Sequence, residues 1–216
     1  MISILMPIYN GIEFIDQSIN SIKKQSISNW ELIIGINGHL LNSEVYHKAK
    51  EYENHKIKVV ELYPIKGKSE ALNNMLKYCT YNWIALLDVD DIWLPKKLES
   101  QLPYMTKYDV IGTKCRYFGE RGGEPNIPLG DITAFDFIQV NPIINSSCLV
   151  RKKLCAWDVT KEGIEDYDMW LRLWKAHKKF YNVESVQVFH RIHQKSAFNA
   201  RGNHLKVTHL RKIYEY

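Results

Sequence analysis

Three carboxylates crowd into four residues at Asp88-Val89-Asp90-Asp91, directly after the apolar run 83–87. Held together at a strand end they repel one another. A hard divalent cation removes that repulsion, because it takes oxygen ligands. Mg2+ or Mn2+ held by one or two carboxylates also keeps positions open for substrate phosphates. The plainer reading is an acidic turn that caps the helix announced by Pro95. The bare Asp-x-Asp does not decide between them. Its place immediately behind a buried strand favours the cation.

A second acidic cluster, Glu165-Asp166-Tyr167-Asp168, opens an amphipathic segment. Acidic residues in a first helical turn complement the macrodipole, and that alone accounts for them. The chemical reading makes Asp166 a general base for a hydroxyl. The helix dipole lowers its pKa while Glu165 and Asp168 raise it, so the net direction stays open. A third cluster, Arg191-Ile192-His193-Gln194-Lys195-Ser196, follows an expected strand. His193 can complete a cation's shell or contact a diphosphate; it is equally a common kind of surface histidine.

The elements that must position these groups alternate in the first half. Residues 2–6, 31–36, 58–62 and 83–87 read as short strands rich in Ile, Val and Leu. Residues 12–24, 43–52 and 69–78 read as helices, with Phe14, Ile15, Ile19 and Ile22 in one stripe and Ala71, Leu72, Met75 and Leu76 in another. Such alternation implies a parallel sheet with right-handed crossovers. Ligands of open parallel sheets bind outside the carboxyl ends of the strands. Those ends are residues 7–11, Asn37-Gly38, residues 63–68 and the aspartate cluster. Gly11, Gly38 and Gly67 allow sharp turns there, and Lys66 and Lys68 can offset phosphate charge.

The second half reads as strands at 108–118, 146–150 and 181–189, a Gly/Pro-rich loop at 121–131, and a helix at 164–177 with Met169, Trp170, Leu173 and Trp174 on one face. A last helix is expected at 203–216, carrying Leu205, Leu210 and Ile213. The chain divides into a nucleotide-binding half, residues 1–91, an acceptor-side half, 92–196, and a tail, 197–216, all within one domain.

Composition excludes several classes. A net charge of +5 is compatible with an anionic ligand but too weak to argue for nucleic acid. The four cysteines have no zinc-like spacing and suit free thiols in a reducing compartment. The start, Met1 to Pro7, lacks the marks of a signal peptide, and no run reaches transmembrane length. The expectation is a cytoplasmic protein, with peripheral membrane attachment left open.

These residues, in this order, resemble the family 2 glycosyltransferases of the GT-A fold. The resemblance is carried by residues 6–11, by Gly67, Ala71 and Asn73, and by the aspartate segment from Leu87 to Pro95. It continues through Ser146-Ser147, Glu165-Asp166 with Trp170, and Arg191-x-His193, and so spans residues 2 to about 196. It departs from the family at Asn37, Ile65 and Leu72, where Asp, Asn and Arg are usual. The resemblance implies a Rossmann-like α/β domain with a mixed, mostly parallel sheet flanked by helices. It implies inverting transfer from a nucleotide-diphosphate sugar to a hydroxyl of a glycan, lipid-linked or protein acceptor; Asn37, a departure from the family that can pair with the uracil edge, favours a UDP-sugar. Pro7, Tyr9, Asn37, Lys68, Asp88 and Asp90 are the implied donor residues. Asp90 and His193 are implied for Mn2+ or Mg2+, Asp166 for the base, and Ser147, Glu165 and Trp170 for the acceptor side. Two alternatives differ in class. A sugar-phosphate nucleotidyltransferase calls for a basic Gly-rich loop after the first strand, and residues 9–13 have no basic residue. A non-catalytic nucleotide-sugar-binding module is expected to have lost the Asp-x-Asp or the base, and both are present.

Overall fold

The structure, a computed structural model, describes residues 1–194 and 203–215. Lys195, Ser196 and Tyr216, and positions 197–202 of the expected tail, lie outside the described residues.

The first half forms as its pattern dictates. Strands β1 (Ile2–Ile8), β2 (Trp30–Ile36), β3 (Ile57–Glu61) and β4 (Trp83–Leu86) are joined by helices α1 (Ile15–Lys23), α2 (Glu44–Lys50) and α3 (Lys68–Met75). All seven residues of β1 are buried, the signature of a parallel strand covered on both faces. Its side chains alternate between two cores. Ile2, Ile4, Met6 and Ile8 meet Ile15, Ile19 and Ile22 of α1 on one side. Leu5 meets Ala71, Leu72 and Met75 of α3 on the other. Phe14 leaves the expected stripe: the chain makes a short 3-10 turn over Ile12–Phe14 before α1 begins.

The second half holds β5 (Ile92–Trp93), α4 (Lys97–Gln101), β6 (Val110–Gly119), β7 (Gly130–Asp131), β8 (Leu149–Arg151), α5 (Glu165–Lys175), β9 (Phe180–Ile192) and α6 (His204–Tyr214). One sheet runs in the order β3-β2-β1-β4-β8-β6-β9-β5, with β7 paired to β9. Its first four strands are parallel. Strand β8 is antiparallel to both neighbours, while β6 and β9 run parallel. The order reverses between β1 and β4, which opens a crevice at their carboxyl ends.

Three elements differ from expectation. The strand expected at 146–150 begins as a 3-10 turn, Asn145–Ser147, closed by Ser147 Oγ donating to Ile144 O at 2.8 Å. Strand β9 is longer than 181–189 because it follows β6 to Gly119, past register shifts near Thr113–Cys115. Of the expected final helix, Leu210 is buried whereas Leu205 and Ile213 are exposed.

Helix α4 buries Lys97 completely. Its Nζ donates to Cys148 O at 3.2 Å and lies 3.9 Å from the centroid of the Trp93 ring. Burial pulls its pKa from the ordinary 10.5 to about 7. Above pH 7 the unfolded chain therefore holds a proton that the folded chain has shed. This group's contribution makes the fold more stable as pH rises toward 10.5, by up to ~1.4 kcal/mol per pH unit. Lys97→Met is expected to melt above the wild type at pH 7, with the gap narrowing by pH 9. A gap in melting temperature that stays constant with pH contradicts the assignment.

Candidate active site

A cavity of about 820 Å³ opens at the carboxyl ends of β1, β2, β3 and β4. Pro7 and Tyr9 come from the end of β1, Asn37 from β2, Lys66 and Lys68 from the approach to α3, and Asp88 and Asp90 from the turn after β4. Glu165 and Asp166 of α5 and the end of β9, residues 190–193, close the far side. Gly38 sets the rim: at φ +76°, a side chain there would meet the Tyr9 ring at 2.5 Å. Tyr9 stays about half exposed at the mouth. Asn37 reaches the cavity with only 2% of its surface exposed, and its Nδ2 donates to Lys66 O at 3.3 Å.

The three aspartates have separate surroundings. Asp88 accepts from Lys68 Nζ at 2.6 Å and from Asn145 Nδ2 at 3.1 and 3.2 Å. Burial works to raise its pKa, but the Lys68 charge and these bonds hold it below the ordinary value. Asp91 is fully buried. It meets His190 Nδ1 at 2.9 Å and accepts from Arg191 N at 2.8 Å. Asp90 lies 2.9 Å from His193 Nε2. Burial raises its pKa, and the charges of Asp91 and Asp88 raise it further. Arg191 braces this turn, donating through Nε to Asp90 O at 2.8 Å. Its guanidinium lies 4.3 Å from the ring centroids of both Phe14 and Phe118.

Asp90 and His193 thus present one oxygen and one nitrogen side by side on the cavity wall. Among the described residues, no group of three or more His, Cys, Asp or Glu side chains forms a closed metal cage. Mn2+ or Mg2+ suits such a partial set, because either can take its remaining ligands from water and phosphate oxygens. Burial first, and then the like charges of Asp91 and Asp88, raise the pKa of Asp90, and a bound cation would offset both.

Lys68 ties the aspartate turn to α5. Its Nζ lies 3.8 Å from Glu165 Oε1 as well as 2.6 Å from Asp88. Burial lowers its pKa, yet the charges of Asp88 and Glu165 raise it overall. Glu165 also accepts from Gly163 N at 2.6 Å, and burial pushes it up to about 7 against the pull of Lys68. Asp166 accepts from Asn141 Nδ2 at 3.2 Å. Desolvation raises its pKa and the Lys68 charge opposes. The balance that sequence left open is therefore upward, because desolvation exceeds the pull of Lys68 and of the bonds from Tyr167 N and Asn141. Glu162 accepts from the N–H groups of Lys68 and Ser69, at 2.8 and 3.3 Å. The loop before α5 thereby caps α3.

Nine of the eleven residues singled out in the sequence line this one cavity: Pro7, Tyr9, Asn37, Lys68, Asp88, Asp90, Glu165, Asp166 and His193. Ser147 and Trp170, expected on the acceptor side, do not line it. Both are fully buried. Ser147 closes its own turn, and it is the preceding Ser146 whose Oγ accepts from Asp88 N at 3.0 Å. Trp170 packs with Met169 and Leu171 in the core beneath α5. Asn141, Asn145, Glu162, His190 and Arg211 also line the cavity. Sequence reasoning passed over them: Asn141, Asn145 and Glu162 stand in segments without periodic signal, and His190 and Arg211 stand within a strand and a helix as polar residues outside any motif.

The sequence model described as Glycosyl transferase family 2 matches residues 3–155. UDP-Glc:alpha-D-GlcNAc-diphosphoundecaprenol beta-1,3-glucosyltransferase WfgD of Escherichia coli is 30% identical over 95% of this chain and 83% of its own length. S. aureus TarS 1–349, in a crystal structure with UDP-GlcNAc, superposes with a TM-score of 0.79 at 16% identity, over 99% of this chain and 66% of TarS 1–349. The mannosyltransferase PcManGT from Pyrobaculum calidifontis, in complex with GDP-Man and Mn2+, superposes at 0.73 with 14% identity, over 100% of this chain and 64% of its own.

Proposed function

Because this chain belongs to glycosyl transferase family 2, we propose that it moves a sugar from a UDP-sugar to an acceptor hydroxyl, inverting the anomeric carbon. It is a glycosyltransferase of the GT-A fold. One observation carries the finer reading: Lys68 joins the aspartate turn to α5 inside a single cavity.

Residues 1–91 hold the donor in this reading. Pro7 and Tyr9 flank the nucleotide, Asp88 meets the ribose, and Lys68 offsets diphosphate charge. Asp90 and His193 would hold Mn2+ or Mg2+, which would neutralise charge on the leaving diphosphate. Residues 92–196 receive the acceptor, a glycan hydroxyl on a lipid-linked, protein-linked or free chain. Glu165 fixes Lys68 and the start of α5. Asp166 takes the hydroxyl proton as that oxygen bonds to the anomeric carbon. The bond from that carbon to the diphosphate oxygen breaks in the same step, and the pair leaves on the diphosphate. A single displacement from the opposite face inverts the centre, by the logic of the single-displacement glycosidases. NMR of the product reads the outcome directly, and retained configuration overturns the scheme.

Asn37 sets the nucleotide preference. With Nδ2 directed at Lys66 O, its Oδ1 is the acceptor left for the N3–H of uracil. Calorimetry with UDP, GDP and dTDP is expected to rank UDP tightest; Asn37→Ala is expected to narrow its lead over GDP, whereas its lead over dTDP, which shares the N3–H, rests on Asp88 at the ribose. UDP binding weakest of the three refutes the assignment.

A further inference from the structure

Helix α6 forms part of the cavity wall through Val207 and Arg211. It packs on α5 and the loop before it, with Asn203 Nδ2 donating to Gly163 O and Lys206 Nζ to Glu162 O, both at 2.9 Å. Arg211 Nε donates to Tyr167 OH at 3.1 Å, and its guanidinium lies 5.7 Å from that ring's centroid. Tyr167 is a firm platform: it is 2% exposed and its hydroxyl donates to Phe137 O at 2.6 Å.

A neutral phenol does not balance the charge of the guanidinium. Among the described residues, no carboxylate stands within ion-pair distance of Arg211. Arg116, Arg151 and Arg172 each pair with a carboxylate. A second cavity residue, Arg121, has only the Tyr117 ring beneath it, at 5.7 Å. Among the described residues, three guanidinium groups without a paired carboxylate therefore line this cavity: Arg121, Arg211, and Arg191, whose donors are already taken by Asp90 O and Gln17 Oε1. The planar fork of a guanidinium fits phosphate oxygens in pairs. The donor diphosphate belongs with Lys68 and Asp90, whereas Arg211 stands on the residue next to Asp166. The cavity lies near the top of the ~300–1,000 Å³ range of small-molecule sites, so a second ligand has room.

We propose that the acceptor carries a phosphate group, and that Arg211, seated on Tyr167, binds it on the Asp166 side of the cavity. This rests on the glycosyl-transfer reading and names the class of acceptor. That group belongs either to a soluble sugar phosphate or to a lipid phosphate, and the two are separable.

The test is calorimetry on protein saturated with UDP and Mn2+, titrated with glucose 1-phosphate, decyl phosphate and neutral decyl glucoside. At least one of the phosphates is expected to bind well ahead of decyl glucoside. Arg211→Gln is expected to weaken it about 10-fold or more, the usual scale for a lost charged hydrogen bond. Arg211→Lys, which keeps the charge without the fork, is expected to lose only a few-fold. UDP affinity is expected to be the same in all three proteins. Binding of glucose 1-phosphate as tight as decyl phosphate identifies a soluble acceptor, and binding of decyl phosphate alone identifies a lipid. Equal affinity for decyl phosphate and decyl glucoside overturns the proposal. So does phosphate affinity unchanged in Arg211→Gln while UDP binds normally. Wild-type protein that binds no UDP overturns the donor reading beneath it.

Discussion

Asp166→Asn is expected to slow transfer by about 10²–10⁴-fold, the range for a lost general base, while donor affinity stays within a few-fold. The change keeps the shape and the acceptor oxygen facing Asn141 and removes only the basicity. Positioning supports the role: Trp170 and Leu171 are buried beneath the first turns of α5 and hold its start in place. The raised pKa of Asp166 adds two signed consequences. Activity needs the carboxylate, so kcat/KM is expected to climb with pH along an acid limb lying above the ordinary Asp value of ~3.9. The folded state, in turn, holds this proton more tightly than the unfolded chain does. The stability so gained is present at low pH and lost as pH rises through the folded pKa. Asn imitates the protonated form, so the variant is expected to melt higher than the wild type at pH 7. Glu165→Gln is expected to cost less activity, because Glu165 bonds to Gly163 N and pairs with Lys68. A fully active Asp166→Asn protein removes this residue from the mechanism.

Removing the cation is expected to be at least as damaging. Excess EDTA and Asp90→Ala are each expected to abolish turnover, since a Lewis acid supplies several kcal/mol to charge that develops on a leaving group. Asp90 is partly exposed and sits in like-charge company, so its loss is not expected to unfold the chain. Its removal relieves repulsion with Asp88 and Asp91. Adding Mn2+ back is expected to rescue the chelated wild type and not Asp90→Ala. The readouts are product formation and the effect of Mn2+ on the melting temperature with UDP present. Full turnover in EDTA rules out the cation.

The positions that sequence made legible are those where periodicity ends abruptly. Strands β1 to β4 are apolar runs with polar stops, so Asn37, Lys68 and Asp88 could be placed on one edge before any coordinates. The family resemblance, rather than residue type, joined His193 to Asp90, and they lie 2.9 Å apart. What stayed hidden depends on contacts between segments far apart in sequence. Asn145 reaches Asp88 and Asn141 reaches Asp166 from a stretch without repeat or motif. Lys97 reads as a surface lysine, because lysine is seldom fully buried, yet the ring of Trp93 and Cys148 O enclose it. Trp170 and Ser147 were placed by motif alone, which gives a residue's order along the chain but not what covers it. Asp166 and Trp170, four residues apart, share one stripe of α5, yet Asp166 stands in the first turn at the cavity and Trp170 a turn further on, in the core.

The grip of Arg191 has a bearing on how the molecule comes into being. Its guanidinium rests against rings from positions 14 and 118 and holds the carbonyl of Asp90, a hundred residues upstream. The parallel units β1 to β4 close through short crossovers and bury their own apolar faces, so loop-closure entropy opposes them little. Within the aspartate turn, Asp88 draws on Lys68 from that same unit, whereas the side chains of Asp90 and Asp91 draw on residues that come later. Asp91 meets His190, and Asp90 meets Arg191 and His193, only once the final strand has docked. A chain still emerging from the ribosome without its last strand would have the sheet edge but not the finished turn. Chemical competence is thus delayed until the chain has been made through residue 193, so shorter nascent chains lack the assembled machinery to consume donor.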